Sequence, residues 1–173
     1  MKYSVIWSKT LLYSLCRVKG VCRQIDNAVE ARAAIVPGFH SGYVFCEDAA
    51  THTQKMISLI EQKKRTINLL LLTNRILDYM TSASKKALVL RYCQNKDYII
   101  TAQLLNFSVR TFFRHIKQGL KIFTNLRKKL DISDEYLEGV YKGDYWITQL
   151  KNKAITEERT KQKALKTKKT YTA

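Results

Sequence analysis

Residues 84–126 read SKKALVLRYCQNKDYIITAQLLNFSVRTFFRHIKQGLKIFTNL, and this stretch decides the fold. Thr and Ser at 81–84 supply N-cap residues for a helix over 85–94. After a short turn, Asp97 can cap a second helix that ends near Leu105. The stretch therefore predicts two short helices, and a third follows them.

The turn before the third helix is predicted at Asn106 and Phe107. Asn tolerates a left-handed backbone better than most residues, and Ser108 can cap the third helix by accepting from backbone N–H groups. Ala102 is small enough to let the second and third helices cross closely. The spacing of these residues is typical of a helix-turn-helix.

The charge of the whole chain limits its partners. The formal net charge is +17, from 31 Lys and Arg against 14 Asp and Glu. An excess of this size repels itself, and an anionic partner relieves the repulsion. Nucleic acid is the first interpretation, and a membrane surface or a merely solubilising charge are the alternatives.

The third helix is predicted to have an inward and an outward side. Its inward stripe is Phe112, Ile116, Leu120 and Phe123. Its outward side, where a recognition helix meets the major groove, is formed by Val109, Arg110, Phe113, Arg114 and Lys117.

Arg110 is predicted to read a base, because early positions lie deepest in the groove and Arg can bridge the two acceptors of guanine. Arg114 and Lys117 are assigned to bases or phosphates. Backbone contacts are assigned to Thr111, Lys121 and, at the preceding turn, Lys96. With the capping residue Ser108, these residues complete the predicted DNA-binding set. A solvated helix face without a ligand is the alternative.

Residues 88–120 resemble region 4 of sigma-70-type factors and the related phage regulators. Leu88, Arg91 and Tyr92 match the L-x-x-R-Y-like lead of that pattern. Thr101 stands where the pattern has Ile, and Phe112 where it has Val, and both differences affect packing. The core of the pattern is matched by Ala102, Leu105, Ser108, Arg110, Thr111 and Arg114.

The resemblance extends more loosely over residues 10–125. RQIDNAVEAR at 23–32 and EDAATHTQKMISLIEQKKRTINLLLLTNRI at 47–76 are similar to phage late-gene transcription activators of the ArpU and RinA-like group. This resemblance implies a promoter-binding activator that contacts RNA polymerase. A DNA packaging or recombination accessory protein is the runner-up, and a helical RNA-binding protein is a further alternative.

The first half predicts a long, coiled-coil-like helical hairpin. A helix over 7–35 has the stripe Leu11, Leu15, Val18, Cys22, Ile25 and Val29. A loop over 36–52 follows, in which Phe39, Tyr43 and Phe45 are predicted to fold back on the helices, with a short strand as the alternative. A second helix over 53–80 has the stripe Met56, Ile60, Lys63, Ile67, Leu70, Asn74 and Leu77. The two helices pack antiparallel, or each pairs with its copy in a homodimer.

The net charge of the chain changes sign twice in its C-terminal part. Residues 131–150 are acidic and aromatic and predict an accessory helix capped by Ser133, which packs on the helical domain or docks on a protein such as RNA polymerase. Residues 151–173 predict a basic tail, frayed or disordered, that adds phosphate affinity or only solubility.

The predicted organisation is all-α. It has a scaffold at 1–80, a helix-turn-helix domain at 81–130, the accessory helix at 131–150 and the tail at 151–173. The sequence contains no catalytic constellation, so we expect no enzyme and no cofactor. The four Cys lack the spacing of a zinc site, so we expect no metal. Without a signal peptide or a membrane span, we expect a cytoplasmic protein that joins the nucleoid when bound to DNA.

Overall fold

The computed structural model describes residues 3–34, 48–94 and 96–170, with residues 163–170 described as backbone only. These residues are helical and contain no strand, so the all-α prediction is confirmed for this part of the chain. The helices are α1 (Tyr3–Ser14), α2 (Val18–Ala33), α3 (Ala49–Asp78), α4 (Ser82–Leu88), α5 (Tyr98–Leu104), α6 (Val109–Lys129), α7 (Asp134–Tyr141) and α8 (Tyr145–Thr170). A π-helical segment, Val89–Cys93, continues α4.

The chain divides into two compact units. One comprises Met1–Cys16 and Leu72–Ala173, and the other comprises Arg17–Leu71. The predicted boundary at residue 80 does not coincide with this division, because α1 packs among the C-terminal helices. We call the first unit the C-terminal unit and the second the α2–α3 unit.

The predicted single helix over 7–35 is wrong. α1 ends at Ser14, a turn occupies residues 15–17, and α2 begins at Val18. No Pro or Gly causes this break. The break coincides with the boundary between the two units, so tertiary packing decides it. Ile35 and the predicted aromatic loop residues Phe39, Tyr43 and Phe45 lie outside the described residues.

α1 is buried on all sides within the C-terminal unit, where it packs against α6, α7, α8 and the π-helical segment. Its polar side chains are therefore bonded internally. The Ser8 hydroxyl donates to the Ser4 carbonyl and lies 2.8 Å from the Thr124 hydroxyl oxygen. Thr10 donates to the Ile6 carbonyl at 2.9 Å. A helix with few free polar groups can occupy the centre of a small domain without the cost of unpaired buried dipoles.

Lys9 places a charge in this core. Its side chain is fully buried, and its amine lies 3.2 Å from Glu157 and 2.7 Å from Glu158 on α8. Burial by itself lowers the pKa of Lys9, but Tyr92 and the two carboxylates outweigh burial and raise the pKa above its ordinary value. The Tyr13 hydroxyl also bonds to Glu157. Glu157 and Glu158, both near the end of the chain, thus fix α1 against α8.

The prediction for the C-terminal part is confirmed in some features and wrong in others. Residues 131–150 form α7 and the first turns of α8, and α1 contacts both helices, so packing on the helical domain is confirmed. Ser133 caps α7 by accepting from the Tyr136 N–H at 3.0 Å, as predicted. For the predicted tail, the helical alternative agrees with the structure as far as Thr170, because α8 continues through it and Ala154 is buried. The disordered alternative is wrong for these residues.

The predicted stripe of α3 is partly wrong. Ile60 and Ile67 are 54% and 39% exposed, and Asn74 is also exposed. The buried positions include His52, Thr66 and Leu69, which lie on the side of α3 next to the predicted stripe. Lys63 pairs with Asp26 of α2. α3 also begins earlier than predicted, because the Asp48 carboxylate accepts from the Thr51 N–H and caps it.

We expect Lys9→Met to lower the free energy of unfolding by about 3 kcal/mol, because the change leaves two carboxylates without their buried partner. The pKa of Glu158 is lowered from 4.5 in the folded chain, since the bonds from Lys9 outweigh burial, which raises it. The stabilisation is therefore complete above pH 4.5 and is lost as the pH falls through the lower, folded pKa. Urea unfolding at pH 7 and pH 3 measures both effects.

The matched control for this experiment is Lys142→Met, at an exposed position in the turn before α8. We expect its effect to stay within about 0.5 kcal/mol at both pH values. A Lys9→Met effect that is equally small, or that is unchanged between pH 7 and pH 3, would contradict the role assigned to the ion pair.

Gly119 marks the closest approach of α6 to α4. A Cβ atom built there would lie 3.2 Å from the Leu88 side chain. We expect Gly119→Val to lower the free energy of unfolding by about 1–3 kcal/mol, as overpacked cores do. Gly139→Val on the exposed side of α7 is the control, because its Cβ would meet no atom within 4 Å. Equal thermal stability of the two variants would show that the contact tolerates a side chain.

Candidate nucleic-acid interface

The turn between α5 and α6 has the geometry that the sequence predicts. The Asp97 carboxylate accepts from the Ile99 N–H at 2.7 Å and begins α5. Asn106 has a φ of 52°, which is the left-handed conformation expected of it. The Phe107 N–H then donates to the Ala102 carbonyl at 2.9 Å. These bonds direct the chain out of α5 and into α6 within four residues.

Ser108 begins α6 in the predicted way. Its hydroxyl oxygen accepts from the Thr111 N–H at 3.1 Å. The same hydroxyl lies 2.9 Å from the Thr111 hydroxyl, and Thr111 is only half-exposed. Both side chains are thus engaged with the first turn of α6, and their main structural role is to fix where this helix starts.

The inner face of α6 is the predicted one. Phe112 and Phe123 are fully buried, and Ile116 and Leu120 are 8% exposed. Ala102 of α5 is 1% exposed. Because α6 also packs against α1 and α4, its orientation is fixed along most of its length. The residues on its other face are therefore held in defined positions.

The outer face of α6 presents a row of cations. At about 100° per residue, its members lie within an arc of roughly 60°. All of them are exposed, and α6 contains no Asp or Glu from Val109 to Lys129. We call this row the cationic stripe; it consists of Arg110, Arg114, Lys117, Lys121 and Lys128. Lys128 was not predicted from the sequence, although its spacing of seven residues from Lys121 continues the row.

The two apolar members of the predicted reading face are also exposed. Val109 is 40% exposed at the start of α6, and Phe113 is 49% exposed. The Phe113 ring lies 5.4 Å from the Tyr98 ring of α5. Phe113 therefore faces sideways along the surface as well as outward, so its predicted position is confirmed only in part.

Lys96 lies before α5 and away from the stripe. Its side chain is exposed, and its carbonyl accepts from the Arg91 guanidinium at 3.2 Å. This bond connects the π-helical segment to the start of α5. Asn95, the residue before it, lies outside the described residues.

A groove borders the cationic stripe on the side of Phe113. Its volume is about 540 Å³. Its lining combines apolar and cationic side chains from three elements: Arg91 and Tyr92 of the π-helical segment, Phe112, Phe113 and Ile116 of α6, and Lys153, Thr156, Glu157, Thr160 and Lys161 of α8. Arg91, Lys153 and Lys161 line one groove only in the folded chain, so the sequence pattern did not predict them as a group.

Two groups that line the groove have shifted pKa values. Burial raises the pKa of the Tyr92 hydroxyl to about 12, so this group stays neutral at physiological pH. Burial, followed by the charge of Lys9, lowers the pKa of Lys161 from its ordinary value.

The described residues offer no group of three His, Cys, Asp or Glu side chains that could hold a metal ion. Within the same ranges, no helix combines the length and the apolar character needed to span a membrane.

No protein-family model, curated protein or solved structure matches the chain.

Proposed function

We propose that the chain is a sequence-specific DNA-binding transcriptional regulator that places α6 in the major groove. The observation that carries this proposal is the cationic stripe on a helix whose start is fixed by Asn106 and Ser108. From Arg110 to Lys121 the stripe is about 16 Å long at 1.5 Å per residue. A major groove about 12 Å wide admits one helix with such a face.

The roles within the stripe follow from position along α6. Arg110 lies in the first turn, where a recognition helix approaches base edges most closely. The Arg110 guanidinium can donate hydrogen bonds to two acceptors of one guanine. Arg114 and Lys117 lie one and two turns further and bind bases or phosphates. Lys121 and Lys128 bind phosphates, which supply most of the affinity and none of the sequence information.

Activation of phage late-type promoters through contact with RNA polymerase is the biological form of this proposal. It rests on the resemblance of residues 88–120 to sigma-70 region 4 and on the looser similarity to the ArpU and RinA-like group. The runner-up, a packaging or recombination accessory protein, would use the same α5 and α6. Mapping bound sites distinguishes the two, since promoters favour the regulator and packaging or crossover sites favour the runner-up.

Self-association is a second part of the proposal. The apolar side chains Ile57, Ile60, Ile67 and Leu71 of α3 are 39–60% exposed and, with Lys64, follow steps of three and four residues. This spacing is that of a coiled-coil seam, which one copy of a helix can share with another. We propose that a second copy of the chain covers it.

We expect Arg110→Ala to weaken binding to a selected duplex site by about 1–3 kcal/mol, while binding to unrelated duplexes changes little. The reason is that the lost contact discriminates between bases. Fluorescence anisotropy with both duplexes measures the change. Arg23→Ala, at an exposed position on α2, is the matched control. An unchanged ratio between the two affinities in Arg110→Ala would refute the reading role.

We expect the double variant Ile60→Glu/Ile67→Glu to raise the dissociation constant of the dimer at least about tenfold, which corresponds to 1.4 kcal/mol. Sedimentation velocity over a concentration series measures it. Tyr145→Glu, at a side chain that is 76% exposed in the C-terminal unit, is the control. A wild-type chain that stays monomeric throughout the series would contradict self-association.

A further inference from the structure

The groove beside α6 has two walls of different composition. The α6 wall supplies the apolar surface of Phe112, Phe113 and Ile116, and the adjoining π-helical segment supplies Arg91 and Tyr92. The α8 wall supplies Lys153 and Lys161, beside Thr156 and Thr160, whose hydroxyls already donate to backbone carbonyls of α8. The cations that can bind an anion thus come from α8 and from the π-helical segment.

The groove has a net positive charge. Its cations are Arg91, Lys153 and Lys161, and its one acidic lining residue is Glu157. Glu157 is already bonded to the buried Lys9 amine and to the Tyr13 hydroxyl. The single Lys9 amine is shared by Glu157 and Glu158, and Glu158 also lies 3.7 Å from Lys161. Arg91, Lys153, Lys161 and Lys9 still outnumber these two carboxylates, so the surroundings of the groove keep an excess of positive charge.

The groove also lies next to the cationic stripe. On α6, Phe113 is separated from Lys117 by four residues, which places it about 40° round the helix. Phe113 lines the groove and Lys117 belongs to the stripe. A duplex seated on the stripe therefore has α8 at its margin, at the edge that carries Lys153 and Lys161.

We infer that Lys153 and Lys161 of α8, with Arg91 of the π-helical segment, bind the sugar–phosphate backbone that flanks the major groove occupied by α6. The inference rests on the proposed function and adds a second binding surface to it. The cations bind phosphates without reading bases, so they fix how far α6 enters the groove and at what angle.

The relation between α8 and the core gives this surface a fixed position. On α8, Glu157 lies one turn from both Lys153 and Lys161, and it bonds to the buried Lys9 amine, which also pairs with Glu158. The Lys153 amine also lies 4.4 Å from the centre of the Tyr13 ring, which restricts it. The second surface is therefore rigidly connected to α1 and, through α1, to α6.

The test is the salt dependence of duplex affinity for Lys153→Ala/Lys161→Ala. Each lost phosphate contact reduces the slope of log K against log salt by about 0.9, so we expect a reduction of roughly 2. The affinity should fall by the same factor for selected and unrelated duplexes. Lys153→Arg/Lys161→Arg, which keeps both charges, should keep the wild-type slope.

The control is Lys19→Ala/Lys142→Ala, which removes the same net charge at two exposed positions that do not line the groove. We expect this control to keep the slope, and circular dichroism checks that all variants are folded. An unchanged slope in Lys153→Ala/Lys161→Ala, with the wild type still selective, overturns this inference and leaves the proposed function intact. A wild-type chain without affinity for duplexes overturns both.

Discussion

The buried ion pair between Lys9 and α8 is the interaction on which the C-terminal unit depends. A fully buried charged amine is stable only if opposite charges compensate it, and Glu157 and Glu158 compensate the Lys9 amine. Their separation in sequence means that the N-terminal helix and the last helix must come together before the charge is satisfied. A competing arrangement of the helices would leave this charge unpaired, so the pair favours one arrangement over others.

α1, which the ion pair holds against α8, also fixes the position of α6. It contacts α6 directly, and the Ser8–Thr124 hydrogen bond joins the two helices. The buried Arg127 adds a second connection between α6 and α1, since its guanidinium donates to the Ser4 carbonyl at 3.4 Å. The same guanidinium donates to the Ile132 carbonyl at 2.7 Å and pairs with Asp134 of α7. The inner face of α6 is thus tied into the core by both apolar and polar contacts. The outer face of α6 is exposed and takes no part in this packing, and it carries the cationic stripe.

The features of the site that were predictable from sequence are those that depend on neighbouring residues. Asn106, Ser108, Asp97 and Ser133 act within two or three residues of their positions, and each behaves as predicted. The inward stripe of α6 was predictable because its period is regular and only one side is apolar. The sites of DNA contact remain a proposal from the same pattern.

The features that sequence reasoning missed depend on long-range packing. The break between α1 and α2 has no local signal, and the packing of α8 in the core depends on contacts with α1, including the pairing of Glu157 and Glu158 with Lys9. On α3, the exposed Ile60 and Ile67 follow the same steps as a buried seam, so periodicity alone could not separate the two stripes. The groove was missed because its cations come from two helical regions more than 60 residues apart.

Selection of binding sites from a pool of random duplexes by the full chain measures whether α6 reads a sequence in duplex DNA. We expect successive rounds to converge on one short sequence, and we expect a guanine within it to be protected from major-groove methylation by the wild type and not by Arg110→Ala. A pool that gains affinity without any shared sequence, or that shows no enrichment at all, would show that α6 does not read bases.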